Sequence, residues 1–372
     1  MNAIGIIFAN IYDSSLGELT NKRTMASLSF GGRYRQIDFP LSNMANSGIR
    51  RIGIISRYNY HSLMNHIGSG EEWDLDLQAG GLEFLTPYSL SNTAGYRGKI
   101  EALYSALDFL ERGSDDEYVV LADSNVLCNM NLTRVLEQHV ASRKDLTVVA
   151  KAGIANGSKQ LDLAIRLGEN GAIDDLAVDY AAPADYLASM GMFVIAKKLL
   201  LHHVKESMAR NRFRFERDFL LSQYQAGKLS VNVYSFSHTA LFCESTEEYF
   251  RNNLALVDPE LRHDLFGGCH PIFTKVRDRV PTYYGENCDV ENCVIADGCM
   301  LEGTVWHSVL SRQITVAPGA EVEDCLMMND VVVGENAKLK CVILDKNVTV
   351  RPGAKLIGTP RNPIVIKQGA IV

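Results

Sequence analysis

Val316–Ala317–Pro318–Gly319–Ala320, Val333–Gly334–Glu335–Asn336–Ala337 and Val350–Arg351–Pro352–Gly353–Ala354 follow one another at a spacing of 17 residues. Ile295–Ala296–Asp297–Gly298–Cys299 is a looser copy, 21 residues before the first. Each copy opens on an aliphatic residue and places another six positions on: Ile295 and Leu301, Val316 and Val322, Val333 and Leu339, Val350 and Leu356. Six-residue faces, three to a coil of about 18 residues, describe a parallel β-helix of triangular section, aliphatics inside and small residues at the corners. Such coils bury their faces only by stacking, so this region reads as a scaffold or assembly surface rather than a seat of chemistry.

Upstream the texture differs. Short apolar runs at Ile4–Ala9, Ile52–Ser56, Tyr118–Ala122, Leu146–Ala150, Met192–Ile195 and Val231–Phe236 read as strands. Lys99–Arg112, Leu132–Ser142, Ala196–Ala209 and Arg217–Ala226 read as helices between them, several ending near Gly. The pattern predicts an α/β domain with a mixed, mainly parallel sheet covered on both faces. Its ligand loops are expected beyond Ala9, Ala122 and Phe236, at the carboxyl ends of strands. We divide the chain into this domain over 1–245, a helix (Thr246–Val257) and linker over 246–284, and the β-helix over 285–372.

The chain has 372 residues, 47% hydrophobic and 22% charged, with a net charge of −7. That composition predicts an ordinary globular protein and disfavours broad nucleic-acid or anionic-membrane binding. Ile4–Ala9 is too short to span a bilayer and Met1–Asn2–Ala3 carries no basic leader, so a cytoplasmic setting is expected. The eight cysteines form no CxxC pair. Cys288, Cys293 and Cys299 follow the hexad step more closely than a zinc spacing and are expected at packed corners.

The stretch Phe30–Gly31–Gly32–Arg33–Tyr34–Arg35–Gln36–Ile37–Asp38–Phe39–Pro40–Leu41–Ser42–Asn43, with Asn46–Ser47–Gly48–Ile49 after it, is similar to the ADP-glucose pyrophosphorylases, the glucose-1-phosphate adenylyltransferases. The likeness continues through Arg50–Gly53, Tyr118–Ala122 and Leu187–Gly191 into the repeats. It implies a Rossmann-like nucleotidyltransferase domain followed by a left-handed β-helix. The implied reaction is attack of a sugar phosphate on the α-phosphorus of ATP, with charge stabilised by backbone N–H groups, basic side chains and carboxylate-held Mg²⁺.

This chain departs from that pattern at each catalytic position. The loop L-A-G-G-R-G-T-R-L becomes Phe8–Ala9–Asn10–Ile11–Tyr12–Asp13–Ser14–Ser15–Leu16, without glycine, with Ser15 at a degenerate position. Ile11 and Tyr12 would obstruct phosphate approach and Asp13 adds negative charge. The phosphate-contacting lysine of K-R-A-K-P-A falls on Met25. The metal carboxylates of A-G-D-H and W-R-D-V-G-T fall on Asn125 and Cys243, with Asp123 and Glu244 nearby as alternative ligands. E-K-P falls near Val178–Asp179–Tyr180, and G-T-A-D-A-V becomes Gly98–Lys99–Ile100–Glu101–Ala102–Leu103. Ser189, and Glu101 in part, remain as remnants of the sugar-phosphate pocket.

These losses point to the noncatalytic D-type glycogen-biosynthesis branch of the family. The resemblance then implies a regulatory partner of a catalytic ADP-glucose pyrophosphorylase subunit, in a heterotetramer, with no cofactor. Mg²⁺ enters only under the alternative of a weakly active adenylyltransferase; a metabolite-sensing binding protein is the further alternative. Arg33, Arg35, Lys22 and Arg23 are candidates for a sugar-phosphate effector, set against simple salt bridging. Arg210–Arg217, with interleaved aromatics, is expected to be a solvated helix junction or subunit contact, not an RNA platform. Asp38 is expected to hold the Gly31–Gly32 turn, and His61, His66, His202 and His203 to play surface or capping roles.

Overall fold

The computed structural model describes residues 2–10, 13–78, 80–86, 96–112, 117–268 and 270–372. Ile11 and Tyr12, on which part of the loop reading rests, lie outside the described residues, as does Cys269. The chain forms two compact units that interleave along the sequence. One comprises Met1–Asn10, Pro40–Tyr58 and Ser69–Ala240; the other comprises Ile11–Phe39, Asn59–Gly68 and Leu241–Val372.

The first unit is built on a nine-stranded mixed sheet. Ala3–Phe8 is buried along its whole length and pairs in parallel with Arg51–Ile55 on one side and Tyr118–Asp123 on the other. A strand buried on both faces needs an unbroken apolar run, and AIGIIF supplies it. Arg51–Ile55 continues in parallel to Gly81–Leu85. Beyond Tyr118–Asp123 the direction reverses: Leu187–Ala196 is antiparallel to it, to Leu146–Lys151 and, at its first residues, to Leu161–Leu167. Ile173–Tyr180 completes a hairpin with Leu161–Leu167, and Val231–Ser235 joins Leu146–Lys151 in parallel.

All six expected strands are present, shifted by a residue or two at most ends, with Leu187–Ala196 longer than expected. Gly81–Leu85 and the Leu161–Tyr180 hairpin are additions. Leu132–Ser142 is a helix with the expected bounds, its first turn capped by the Asn131 side chain, which accepts from the Thr133 N–H. Lys99–Arg112 breaks into Lys99–Ser105 and Leu107–Glu111. The helix expected from Arg217 starts earlier, as a π-helical turn over Phe215–Leu221. The Asp218 carboxylate sets that start by accepting from the N–H groups of Phe213 and Arg214.

The second unit contains three parallel sheets, each of five short strands contributed by successive coils. Leu301, Val316, Val333 and Val350 stand in one register column, fully or almost fully buried. Gly319, Asn336 and Gly353, the fourth residue of each repeat, all have positive φ (72°, 56° and 72°). A corner turned through the left-handed region explains why only Gly or Asn occupies that place. Of the three closely spaced cysteines, Cys299 is buried, whereas Cys288 and Cys293 are only half-buried.

The segment before the first helix belongs to this unit. Leu16, Leu19, Met25 and Leu28 form one apolar cluster with Tyr249, Phe250 and Leu254 of the helix Thr246–Leu254 and with Val309, Leu326 and Ile343 of the coil. The Gly31–Gly32 turn follows, both residues at positive φ, and a Cβ on Gly32 would lie 2.9 Å from the Leu310 carbonyl oxygen. Among the described residues no helix is long and apolar enough to cross a membrane.

Candidate functional site

Met25 is fully buried in the apolar cluster, and its N–H donates to Asp13 Oδ1 at 2.7 Å. Asp13 is therefore a buried structural acceptor, not the charge facing a ligand that its place in the loop suggests. Ser15 is exposed. In the same unit Cys243 is buried and accepts from the Asn252 amide at 3.6 Å, while the Glu244 N–H donates to Glu248 Oε2.

In the first unit Asn125 is buried. Asp123, at the carboxyl end of its strand, is buried against the strand Leu187–Ala196, which bulges between Ser189 and Met192. Gly191, at φ 64°, makes room for it: a Cβ there would lie 2.2 Å from Asp123 Oδ2. Lys99, the first residue of its helix, donates to Asp123 Oδ2 at 2.7 Å and to Glu216 Oε1 at 2.5 Å. Burial pushes the Asp123 carboxyl up to about 7, with Lys99 offsetting part of the rise and Glu216 adding to it.

The pocket remnants are diverted as well. Glu101 is bound by the Arg97 side chain and N–H, which hold its carboxyl below the usual range. Asp179, near which the sugar-phosphate motif was expected, pairs with Arg214 at 2.9 Å and Arg217 at 2.6 Å. The Arg210–Arg217 run thus spends two arginines inside its own unit, as expected for a helix junction. Ser189 Oγ accepts from the Gly191 N–H.

These residues do not fit the Mg²⁺ that the resemblance implies. A hard divalent ion needs free carboxylate oxygens; Asn125 and Cys243 offer an amide and a thiol, and Asp123 already holds an ammonium. No step through a metal follows from this geometry.

The other candidates converge. Within the second unit, Arg33 and Arg35 line a narrow cleft together with Lys275, Arg277, Arg312 and Lys346, and among the described residues no carboxylate lines it. Lys275 donates to the Asn65 carbonyl, Arg35 to the Ser62 carbonyl at 2.7 Å, and Arg312 stands 3.6 Å from Asp297. Burial, opposed by Asp38 and reinforced by Arg277, Arg23 and Arg312, lowers Arg35 to about 10. Burial, with Arg35 and Arg23, lowers Lys346 to about 7. Positive charge is therefore present in excess, at a cost a bound anion would relieve.

The nearby acids are committed. Asp38 accepts from the Arg35 N–H at 2.9 Å and pairs with His66 Nε2 at 2.5 Å, which fulfils its structural expectation. His66 is buried and lines the cleft, contrary to the surface or capping role expected for it; burial keeps its ring below the ordinary histidine value despite Asp38. Arg23 is turned away into a buried ion pair with Asp345. Lys22 is exposed. Sequence reading located Arg33 and Arg35 because they share one motif. It missed Lys275, Arg277, Arg312 and Lys346, which only the coiling of the chain brings to them.

Comparison with known proteins agrees with the architecture. The nucleotidyl transferase family matches residues 4–235, and the GlmU-like C-terminal hexapeptide family matches residues 279–362. The chain is similar to the glycogen biosynthesis protein GlgD of Bacillus subtilis (strain 168), 30% identical over 368 residues, covering 99% of this chain and 96% of that protein. It is similar to the GlgD of Geobacillus stearothermophilus, 34% identical over 369 residues, with 99% and 96% covered. It is also similar to a glucose-1-phosphate adenylyltransferase of Fervidobacterium nodosum, 30% identical over 360 residues, with 95% and 85% covered.

Proposed function

We propose, from the premise that this chain belongs to the nucleotidyl transferase family and to its branch of GlgD proteins and glucose-1-phosphate adenylyltransferases, that it acts in glycogen biosynthesis as a regulatory subunit. In this reading it makes no ADP-glucose itself. It assembles with a catalytic glucose-1-phosphate adenylyltransferase, in a heterotetramer, and changes that partner's activity according to an anionic effector held in the cationic cleft.

The observation that carries the reading is the cleft: six Arg and Lys side chains gathered, with no carboxylate among the described residues of its lining. Regulation without chemistry needs only a ligand whose affinity differs between two states of the assembly. Inorganic phosphate and sugar phosphates supply the charge that the cleft lacks, and paired charge-assisted hydrogen bonds to arginine suit phosphoryl oxygens. The buried Met25 and the engaged Asp123 support the noncatalytic half.

Co-expression with the catalytic subunit from the same source tests it. A complex should co-elute on size exclusion, and the catalytic rate or its phosphate-ester response should differ from that of the catalytic subunit alone. Arg33→Gln with Arg277→Gln should keep the complex and lose the altered response. Absence of a complex, or a complex with unchanged kinetics, would sink the reading. Binding of sugar phosphate by the purified chain, with no effect on any partner, would favour a metabolite-sensing protein instead.

A further inference from the structure

The coil of the second unit has three faces, and the chain itself covers one: Val309, Leu326 and Ile343 pack against Met25, Tyr249 and Phe250. Another face is built from Asp289–Glu291, Thr304–Trp306, Glu321–Glu323, Lys338–Lys340 and Lys355–Ile357, stacked in parallel. The middle residue of each strand packs on the core. The first and third point outward and are all exposed or half-buried. They form two columns, Asp289, Thr304, Glu321, Lys338 and Lys355 in one, Glu291, Trp306, Glu323, Lys340 and Ile357 in the other.

Along both columns the charge changes sign once, between the coil of Glu321 and Glu323 and the coil of Lys338 and Lys340. Carboxylates stand only before that boundary and lysines only after it. Trp306, 43% exposed, lies one coil before the acidic row, and Ile357, 65% exposed, one coil after the basic row. Within the chain Lys338 pairs with Glu321 and Lys340 with Glu323, both at 2.7 Å. Pairs this exposed contribute little to stability by themselves.

A half-turn about an axis parallel to the strands, set between the acidic and basic rows, makes this face its own complement. It lays Glu321 against Lys338 of a second copy, Glu323 against Lys340, and Trp306 against Ile357, each contact occurring twice as two-fold symmetry requires. Lys355 then faces Thr304, one coil from Asp289. An axis along the coil would instead set like charges against each other. From this pattern we infer that the face pairs with the same face of a second copy of this chain, the two coils running antiparallel. The four coils in contact extend about 20 Å, so the interface is small, and its association weak and salt-sensitive.

Sedimentation velocity of the full-length chain, from low micromolar to several hundred micromolar, tests this in low and in half-molar salt. Wild type should dimerise reversibly, at least about tenfold more weakly in half-molar salt. Lys338→Glu with Lys340→Glu should weaken the dimer at least about a hundredfold, as should Glu321→Lys with Glu323→Lys. An equimolar mixture of those two variants should dimerise again. The quadruple variant carrying all four changes keeps the pairs within the chain; it should dimerise like wild type and form no mixed dimer with it. A wild type that stays monomeric, a dimer that the reversals leave unchanged, or a mixture that stays monomeric overturns the inference. If a double variant fails to fold, the quadruple variant decides, and mixed dimers with wild type overturn the inference. If wild type is monomeric alone and the reversals abolish a complex with the catalytic subunit, the face belongs to that partner and self-pairing is overturned.

Discussion

Lys346 lies near three arginines, Arg35, Arg23 and Arg277, with one acid, Asp345, that is already paired with Arg23. Burial and those arginines hold its folded value at about 7, against about 10.4 in an unfolded chain. The folded state thus binds this proton less tightly than the unfolded state. Its contribution to stability is full above about pH 10.4 and is lost as pH falls toward about 7. Lys346→Met should remove that slope: between about pH 9.5 and 7, wild type should lose on the order of 2 kcal/mol relative to the variant, measured by urea unfolding. Inorganic phosphate should shrink the slope in wild type, because an anion in the cleft favours the charged lysine, and should leave the variant unaffected. A slope identical in both chains would remove Lys346 from the account. None of this was legible in the sequence: Lys346 is 311 residues from Arg35, and only the register of the coils makes them neighbours.

Among elements, the strand Leu187–Ala196 shows both what patterning reveals and where it stops. Its apolar second half was readable, because Met192–Ile195 is an unbroken apolar run. Its first half was not, since the bulge between Ser189 and Met192 breaks the period of two on which the reading depends. Leu161–Leu167 alternates apolar and polar residues only at its start, since Leu163–Ala164–Ile165 interrupts the period of two, and no element was expected there. The repeats were the opposite case. Their 17-residue period predicted the three-sided coil, and the Gly and Asn of the fourth position proved to be its left-handed corners. Gly191 does two things at the bulge, taking φ 64° and leaving space for the Asp123 carboxylate. Gly191→Ala should therefore cost about 2 kcal/mol or more in chemical denaturation. Gly227→Ala is the control: it has φ 67° and nothing within 4 Å of the added Cβ, so it should cost only the backbone part, about 1 kcal/mol. Equal losses at the two positions would mean that the contact with Asp123 carries no weight.

At the scale of the whole molecule the question is whether adenylyltransferase chemistry would follow from placing the family's motif residues at Met25, Asn125 and Cys243. Fold and repeat architecture were legible because they rest on periodicity. The departures from the family's motifs at Met25, Asn125 and Cys243 were legible because they rest on residue identity. The Lys99–Asp123–Glu216 cluster was not, since its residues are 24 and 93 apart in sequence and meet only through the fold. Met25 illustrates the consequence: a lysine there would put an ammonium into a cluster of Leu16, Leu19, Leu28 and Tyr249, at a cost of several kcal/mol unless it escaped to solvent or lost its proton. Asn125→Asp would add a further carboxylate to a unit in which Asp123 already has its pKa raised by burial and by Glu216. Cys243→Asp would bury a charge beside the amide of Asn252. Each change meets an environment that has repacked around the present residue. The triple variant Met25→Lys, Asn125→Asp, Cys243→Asp should therefore melt well below wild type and form ADP-glucose from ATP, glucose 1-phosphate and Mg²⁺ no faster than a mock preparation, with activity below about a thousandth of a catalytic subunit, or roughly 4 kcal/mol in barrier. Substantial turnover by a folded triple variant would show that the site had lost only its reactive groups and had kept the geometry around them.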